Sequence, residues 1–146
     1  EKYRPLLQKL IGSSSVPLLS SDEMKKEKPM LAIAKCGTVV LELALRGIPT
    51  VVTYGMSSLD IALAQWLFRI HLPYYSLPNL ILNRLLFPEL IGPKLTDQNL
   101  FEAASTFLTS PEKIRWTHLE CKTVRSLLQV QENPSVLATS LILQLI

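Results

Sequence analysis

The stretch Leu31-Ala-Ile-Ala-Lys-Cys-Gly-Thr-Val-Val-Leu-Glu42, closed by Gly47 and Pro49, decides the fold class. A short apolar run stops at Gly37-Thr38 and passes into a helix-compatible run that ends at a Gly-x-Pro terminator. A strand, a turn and a helix in that order aim the first N–H groups of the helix at whatever lies above the strand end. Those donors and the positive end of the helix dipole suit an anion, above all a phosphate or diphosphate. Gly37 allows close approach to the backbone, and Thr38 is placed to cap the helix or to offer its hydroxyl. Glu42 lies one turn further along the same helical face. With Thr38 as N-cap a capping box needs its acid at position 41, which is Leu, so Glu42 is not explained that way. A carboxylate one turn above a phosphate site can instead accept hydrogen bonds from two ribose hydroxyls. The plainer alternative is an ordinary capped helix with a solvated Glu.

The composition supports a folded domain. With 48% hydrophobic and 18% charged residues in 146, the chain buries a real core, and disorder is excluded. A net charge of +3 is mild and the bases are scattered, so nucleic acid is not an expected partner. The one dense cluster, Lys25, Lys26 and Lys28, alternates with Asp22, Glu23 and Glu27 as a solvated helix face does. Two cysteines make no disulfide framework and suit a reducing cytoplasm. No apolar run reaches the roughly 18 residues that cross a bilayer. The mean hydropathy of +0.26 is nonetheless high, which leaves apolar surface for a membrane or a partner.

Residues 3–11 read as the end of a helix and Gly12 as a turn. Residues 16–19 read as a short strand, and Ser21-Asp22 as the cap of a helical turn running to Lys28. Residues 30–34 form the second expected strand and residues 50–54, β-branched and apolar, the third. Strands alternating with helices predict βαβ units and a parallel sheet. Three strands are few, and the chain opens on Glu1 without Met, so earlier βα units are expected to be missing. Residues 59–70 are apolar nearly all round. Pro73, Pro78, Pro88 and Pro93 then mark a loop-rich segment without long regular elements. Thr96-Asp97 caps a helix to Leu108, Ser110-Pro-Glu opens another, and Asn133-Pro134 caps a last one over residues 136–146. The expected division is a βαβ nucleotide-binding part at 1–56, a helix with Pro-rich cleft loops at 57–95, and carboxyl-terminal helices at 96–146.

These residues also carry a family resemblance. The order Cys36-Gly-Thr-Val-Val-Leu-Glu42, Arg46-Gly-Ile-Pro-Thr-Val-Val-Thr-Tyr54, Ser76-Leu-Pro-Asn79, Arg84 and Pro88-Glu-Leu90 resembles the carboxyl-terminal, nucleotide-binding half of lipid-A-disaccharide synthase. The resemblance implies part of a Rossmann-like GT-B domain from an inverting glycosyltransferase. Enzymes of that family join UDP-2,3-diacylglucosamine to 2,3-diacylglucosamine 1-phosphate through a β(1→6) bond and release UDP. It further implies that Gly37 and Thr38 meet the diphosphate and Glu42 the ribose, and that Asn79, Arg84 and Glu89 approach the interdomain cleft. Tyr54, ending a strand where α/β folds collect ligands, lines the same site. The implied partners are a UDP-sugar donor, an acylated glucosamine phosphate acceptor, the inner-membrane surface and the amino-terminal domain of the same enzyme. No metal or cofactor is implied, and the expected location is cytoplasmic, peripheral to the inner membrane.

Departures from the family pattern fall at Cys36 (usually Ser), Gly55 (usually basic), Ser58 (usually Pro), Asn83 (usually Gly), Leu85 (usually acidic) and Gly92 (usually Gln). They leave the Gly37, Thr38 and Glu42 assignments intact and bear on the donor-sugar contacts. Cys36 at a helix start could be a nucleophile, but no His lies near it in sequence, and a small structural Cys fits better. His71 and His118 make no ligand spacing with either Cys. No catalytic base is visible; in GT-B enzymes it commonly sits on the other domain, so the chain alone is expected to turn nothing over. The alternatives are another GT-B transferase or a UDP-sugar epimerase, and a non-catalytic module docking a membrane or partner through residues 59–70 and 136–146. Self-association through a free sheet edge is expected as well.

Overall fold

A computed structural model describes residues 4–12, 16–57, 59, 72–129 and 134–144. Its centre is a parallel sheet of three strands in the order β1 (Ala32–Lys35), β2 (Thr50–Tyr54), β3 (Glu89–Ile91). Ala34 lies beside Val52, and Val52 beside Glu89, so all three strands end at one edge. The sheet is that of a partial Rossmann-like domain.

The strand–turn–helix unit forms as its sequence requires. β1 leads through Cys36 and Gly37 into α3 (Thr38–Leu45), which follows α1 (Arg4–Ile11) and α2 (Ser21–Lys26). Gly47, at φ 73°, ends α3: its N–H donates to Ala44 O and that of Ile48 to Leu43 O, both at 2.9 Å. This is the paired arrangement that a residue in the left-handed region makes possible. Asn83, at φ 49°, closes α4 (Leu77–Leu82) in the same way, with Arg84 N–H reaching Asn79 O. Asn tolerates that conformation better than other non-glycine residues, so the departure from Gly at this position keeps the turn.

The core joins α3, β2, the entry to β3 and α6 (Pro111–Leu128) through Val40, Ala44, Val52, Leu86, Phe87, Cys121 and Val124. Val51 points to the opposite face, where α5 (Asp97–Thr109) packs against β2. α5 and α6 begin at Thr96 and Ser110, whose hydroxyls accept the Asn99 and Lys113 N–H groups, as their cap signals predict. α7 (Pro134–Leu143) completes the helical last third, starting two residues ahead of the expected 136.

Four expectations need correction. Residues 16–19 form no strand: Val16 is exposed, and Arg4 Nη2 donates to Leu18 O at 3.1 Å, a carbonyl that a ladder would use. The cap of α2 is Ser20, not Ser21, in a capping box with Glu23. That helix stops at Lys26 rather than Lys28, because Pro29 holds the preceding residue out of the helical region. β1 starts at Ala32 rather than 30, where pairing with Thr50 begins. The Pro-rich segment holds no long regular element, in keeping with its prolines, but two short ones, α4 and β3. Pro78 sits in the first turn of α4, where a missing N–H costs nothing, and Pro88 O accepts from Val52 N as β3 begins. The expected helix at 59–70 and His71 lie outside the described residues, Leu59 excepted.

Candidate nucleotide site at the carboxyl edge of the sheet

Cys36 N–H still bonds Thr53 O at 2.8 Å, and the chain then leaves the sheet. The N-cap of α3 is Gly37, not Thr38, and it supplies no side-chain acceptor. Thr38 is therefore the first helical residue. Val40 N–H turns back to Gly37 O, while the N–H groups of Thr38 and Val39 have no partner among the described residues. Nothing stands within 4 Å of a Cβ built on Gly37, so the approach to these donors is open. Thr38 and Glu42 are both exposed on the same face of α3. Neither the Thr38 hydroxyl nor the Glu42 carboxylate is engaged by another described residue.

Tyr54 closes β2 at the same edge, half-buried, with Lys35 Nζ 5.3 Å from its ring centroid. Lys35 is exposed and stands two residues before Gly37. It is a cation that the sequence-based site omits, although its place directly before Cys-Gly-Thr could have signalled it. An exposed lysine held against an aromatic face has three N–H donors to offer an anion.

Asn79 and Glu89 are brought together, but as a brace. Asn79 is wholly buried: Oδ1 accepts from Leu86 N and Phe87 N at 2.9 Å, and Nδ2 donates to Phe87 O and Glu89 Oε1 at 2.8 Å. That exhausts an amide. Glu89 Oε1 accepts from Ser76 N (2.8 Å) and Ser76 Oγ (2.7 Å), and Oε2 from Tyr75 N (2.9 Å). Cys36 Sγ donates to Tyr75 O at 3.5 Å, tying the same loop to the end of β1. These bonds occupy Asn79 and Glu89, the residues that the resemblance brings toward the interdomain cleft. They hold the 75–79 turn against the strand ends. Burial, reinforced by the nearby Glu89 charge, pushes the Cys36 thiol up, away from nucleophilic use.

Arg84 is not brought to this edge. It lies in the connection entering β3, at the opposite end of the strands, and its Nη2 pairs with Glu120 Oε2 of α6. The reason is topological: α4 runs back along the sheet, so the residue after its end belongs to the amino edge. His118 also lies there, in a hollow beside Gly47 and Pro49.

A parallel sheet with a helix start left open over its carboxyl edge defines a partial Rossmann-like domain. Residues 14–142 match the family described as lipid-A-disaccharide synthetase, and the chain belongs to that family. It is similar to the lipid-A-disaccharide synthase of Chlamydia muridarum (strain MoPn / Nigg), 50% identical over 84 residues, 58% of this chain and 14% of that protein. The enzyme of Chlamydia trachomatis serovar D is 59% identical over 63 residues, 43% of this chain and 10% of that protein. The enzyme of Synechocystis sp. (strain ATCC 27184 / PCC 6803 / Kazusa) is 40% identical over 83 residues, 57% and 21% respectively. The matched region thus spans about a seventh of the first relative's length.

Proposed function

We propose that the chain supplies the UDP-sugar side of an inverting glycosyltransferase that joins UDP-2,3-diacylglucosamine to 2,3-diacylglucosamine 1-phosphate. The observation that carries this reading is the bare helix start at Gly37, with two N–H donors facing open space. The donor's diphosphate would accept from Thr38 and Val39 N–H and from the Thr38 hydroxyl, with Lys35 adding charge. Glu42 would accept from the ribose hydroxyls, and Tyr54 would wall the site. Such fixed donors stabilise a departing diphosphate without rearranging as its charge grows. The base that deprotonates the acceptor hydroxyl comes from elsewhere in the enzyme, so the chain alone binds weakly and catalyses nothing. Asn79 and Glu89 act by position, keeping the 75–79 turn against the strand ends. Among the described residues no helix is long and apolar enough to cross a membrane. Because both sugars carry acyl chains, the reaction is placed at the inner-membrane surface.

Ligand-observed NMR tests the site. Binding should rise from uridine through UMP to UDP, weaken with salt, and fail in Gly37→Val. Equal signals for uridine and UDP would remove the diphosphate from Gly37. Another GT-B transferase acting on a different UDP-sugar would pass this test, and the acylated donor and acceptor distinguish it in an assay of the intact enzyme.

A further inference from the structure

At the other end of the same sheet, a hollow of about 500 Å³ opens between the residues preceding β1, the end of α3 and α6. A second, of about 330 Å³, adjoins it and shares Arg46, Gly47 and His118, so that the two form one groove. Its cations are Lys26, Lys28, Arg46, Lys122 and Arg125, and among the described residues no acidic side chain lines either part. Met30, Ile48 and Ile114 supply apolar lining.

The acids of the neighbouring elements stand outside the lining. Glu23 caps Ser20, and Glu120 pairs with Arg84. Glu27 enters only through its carbonyl, which accepts from Arg46 Nη2. No carboxylate pairs with Lys26, Lys28 or Lys122 among the described residues, and all three are exposed. Arg125 Nη2 donates to Leu45 O, so the negative end of α3 is covered by a cation instead of facing a ligand. An arginine held by one bond keeps further N–H donors for a second partner.

We propose that this groove is a second phosphate-binding site, separate from the Gly37 turn, that takes a phosphoester carrying a small apolar portion. Cations over apolar lining match a charged head joined to carbon, and a volume of this order is that of ordinary small-ligand sites. Nucleic acid fits worse, because no Phe, Tyr or Trp among the described residues lines the groove for base stacking. The phosphoester is either a soluble metabolite or a phospholipid headgroup, and the two are separable. The site stands on its own geometry and holds whether or not the Gly37 turn binds UDP.

The test titrates the chain with glycerol 3-phosphate by NMR and, separately, with phosphatidylcholine vesicles with and without phosphatidic acid by flotation. Lys28→Ala/Lys122→Ala should weaken binding about 25-fold, at about fivefold per lysine, while Lys9→Ala/Lys94→Ala changes it less than twofold. All four side chains are exposed, and unchanged circular dichroism confirms folding. Saturating UDP should leave the binding unaltered. Binding of glycerol 3-phosphate assigns a soluble ligand, and binding of acidic vesicles alone assigns a headgroup. Absence of binding in both arms, equal loss in the two double variants, or displacement by UDP would overturn the proposal.

Discussion

The two edges of this small sheet present different kinds of hydrogen-bond donor. At the carboxyl edge the donors are backbone N–H groups at a glycine turn, with one lysine nearby. At the amino edge they are side-chain cations around an apolar hollow. Backbone donors are fixed by the fold and insensitive to the identity of neighbouring side chains, but one added Cβ can block them. Side-chain donors tolerate backbone changes and respond to charge. A single element, α3, contributes to both edges: its start leaves N–H donors open, and its end is covered by Arg125, which borders the groove.

The contrast breaks most severely if the brace is cut. Asn79→Ala leaves two N–H groups and a carbonyl without their partner in a buried place, and takes one of three donors from Glu89 Oε1. The expected loss is about 3 kcal/mol or more, a fall in thermal midpoint on the order of 6–12 °C. Calorimetry with a UDP titration checks it. Normal stability would mean that the 75–79 turn does not depend on this amide.

Next in size is Glu42→Ala, which in the intact enzyme should weaken use of the UDP-sugar about 10- to 100-fold, as loss of one or two charge-assisted bonds would. Groove binding should not change. Steady-state kinetics with varied donor measures it, and an unaltered KM for the donor would take Glu42 out of the site.

A smaller effect concerns the strand edge. β1 is unpaired on its outer side among the described residues, and Ile33 there is 55% exposed. Light scattering after size exclusion should show self-association that Ile33→Lys reduces, since a charge on an edge strand discourages pairing. A clean monomer at high micromolar concentration would count against it.

The smallest effect is in pH. Burial, with the Glu120 charge adding to it and Arg125 opposing, pushes the Cys121 thiol up to about 11. Its ordinary value is 9.0, so the unfolded chain releases this proton first as pH rises. The thiol's contribution is present in full below pH 9 and is lost as pH climbs toward 11. Thermal midpoints should therefore slope downward across that window, less so in Cys121→Ala, and an identical slope in both would remove the thiol as its cause.

The local signals were legible because each rests on neighbours in sequence. Gly47 before Ile48-Pro49, the caps at Thr96 and Ser110 and the β-branched run at 50–54 need nothing distant, and all formed where the sequence places them. The glycine turn after β1 was legible for the same reason, though its N-cap moved one residue to Gly37. The sequence therefore determined the parallel α/β class and the exposed start of α3. Tertiary structure decided the rest. Whether residues 16–19 or 89–91 join the sheet depends on which segment finds an open edge, and Val52 N–H meets Pro88 O there. Asn79 and Glu89 became a brace because α4 lies where each satisfies the other, ten residues away along the chain. Arg84 went to the far edge because that short helix runs back along the sheet. The cationic groove exists only because α6 brings Lys122 and Arg125 beside Arg46, a juxtaposition that no local pattern encodes.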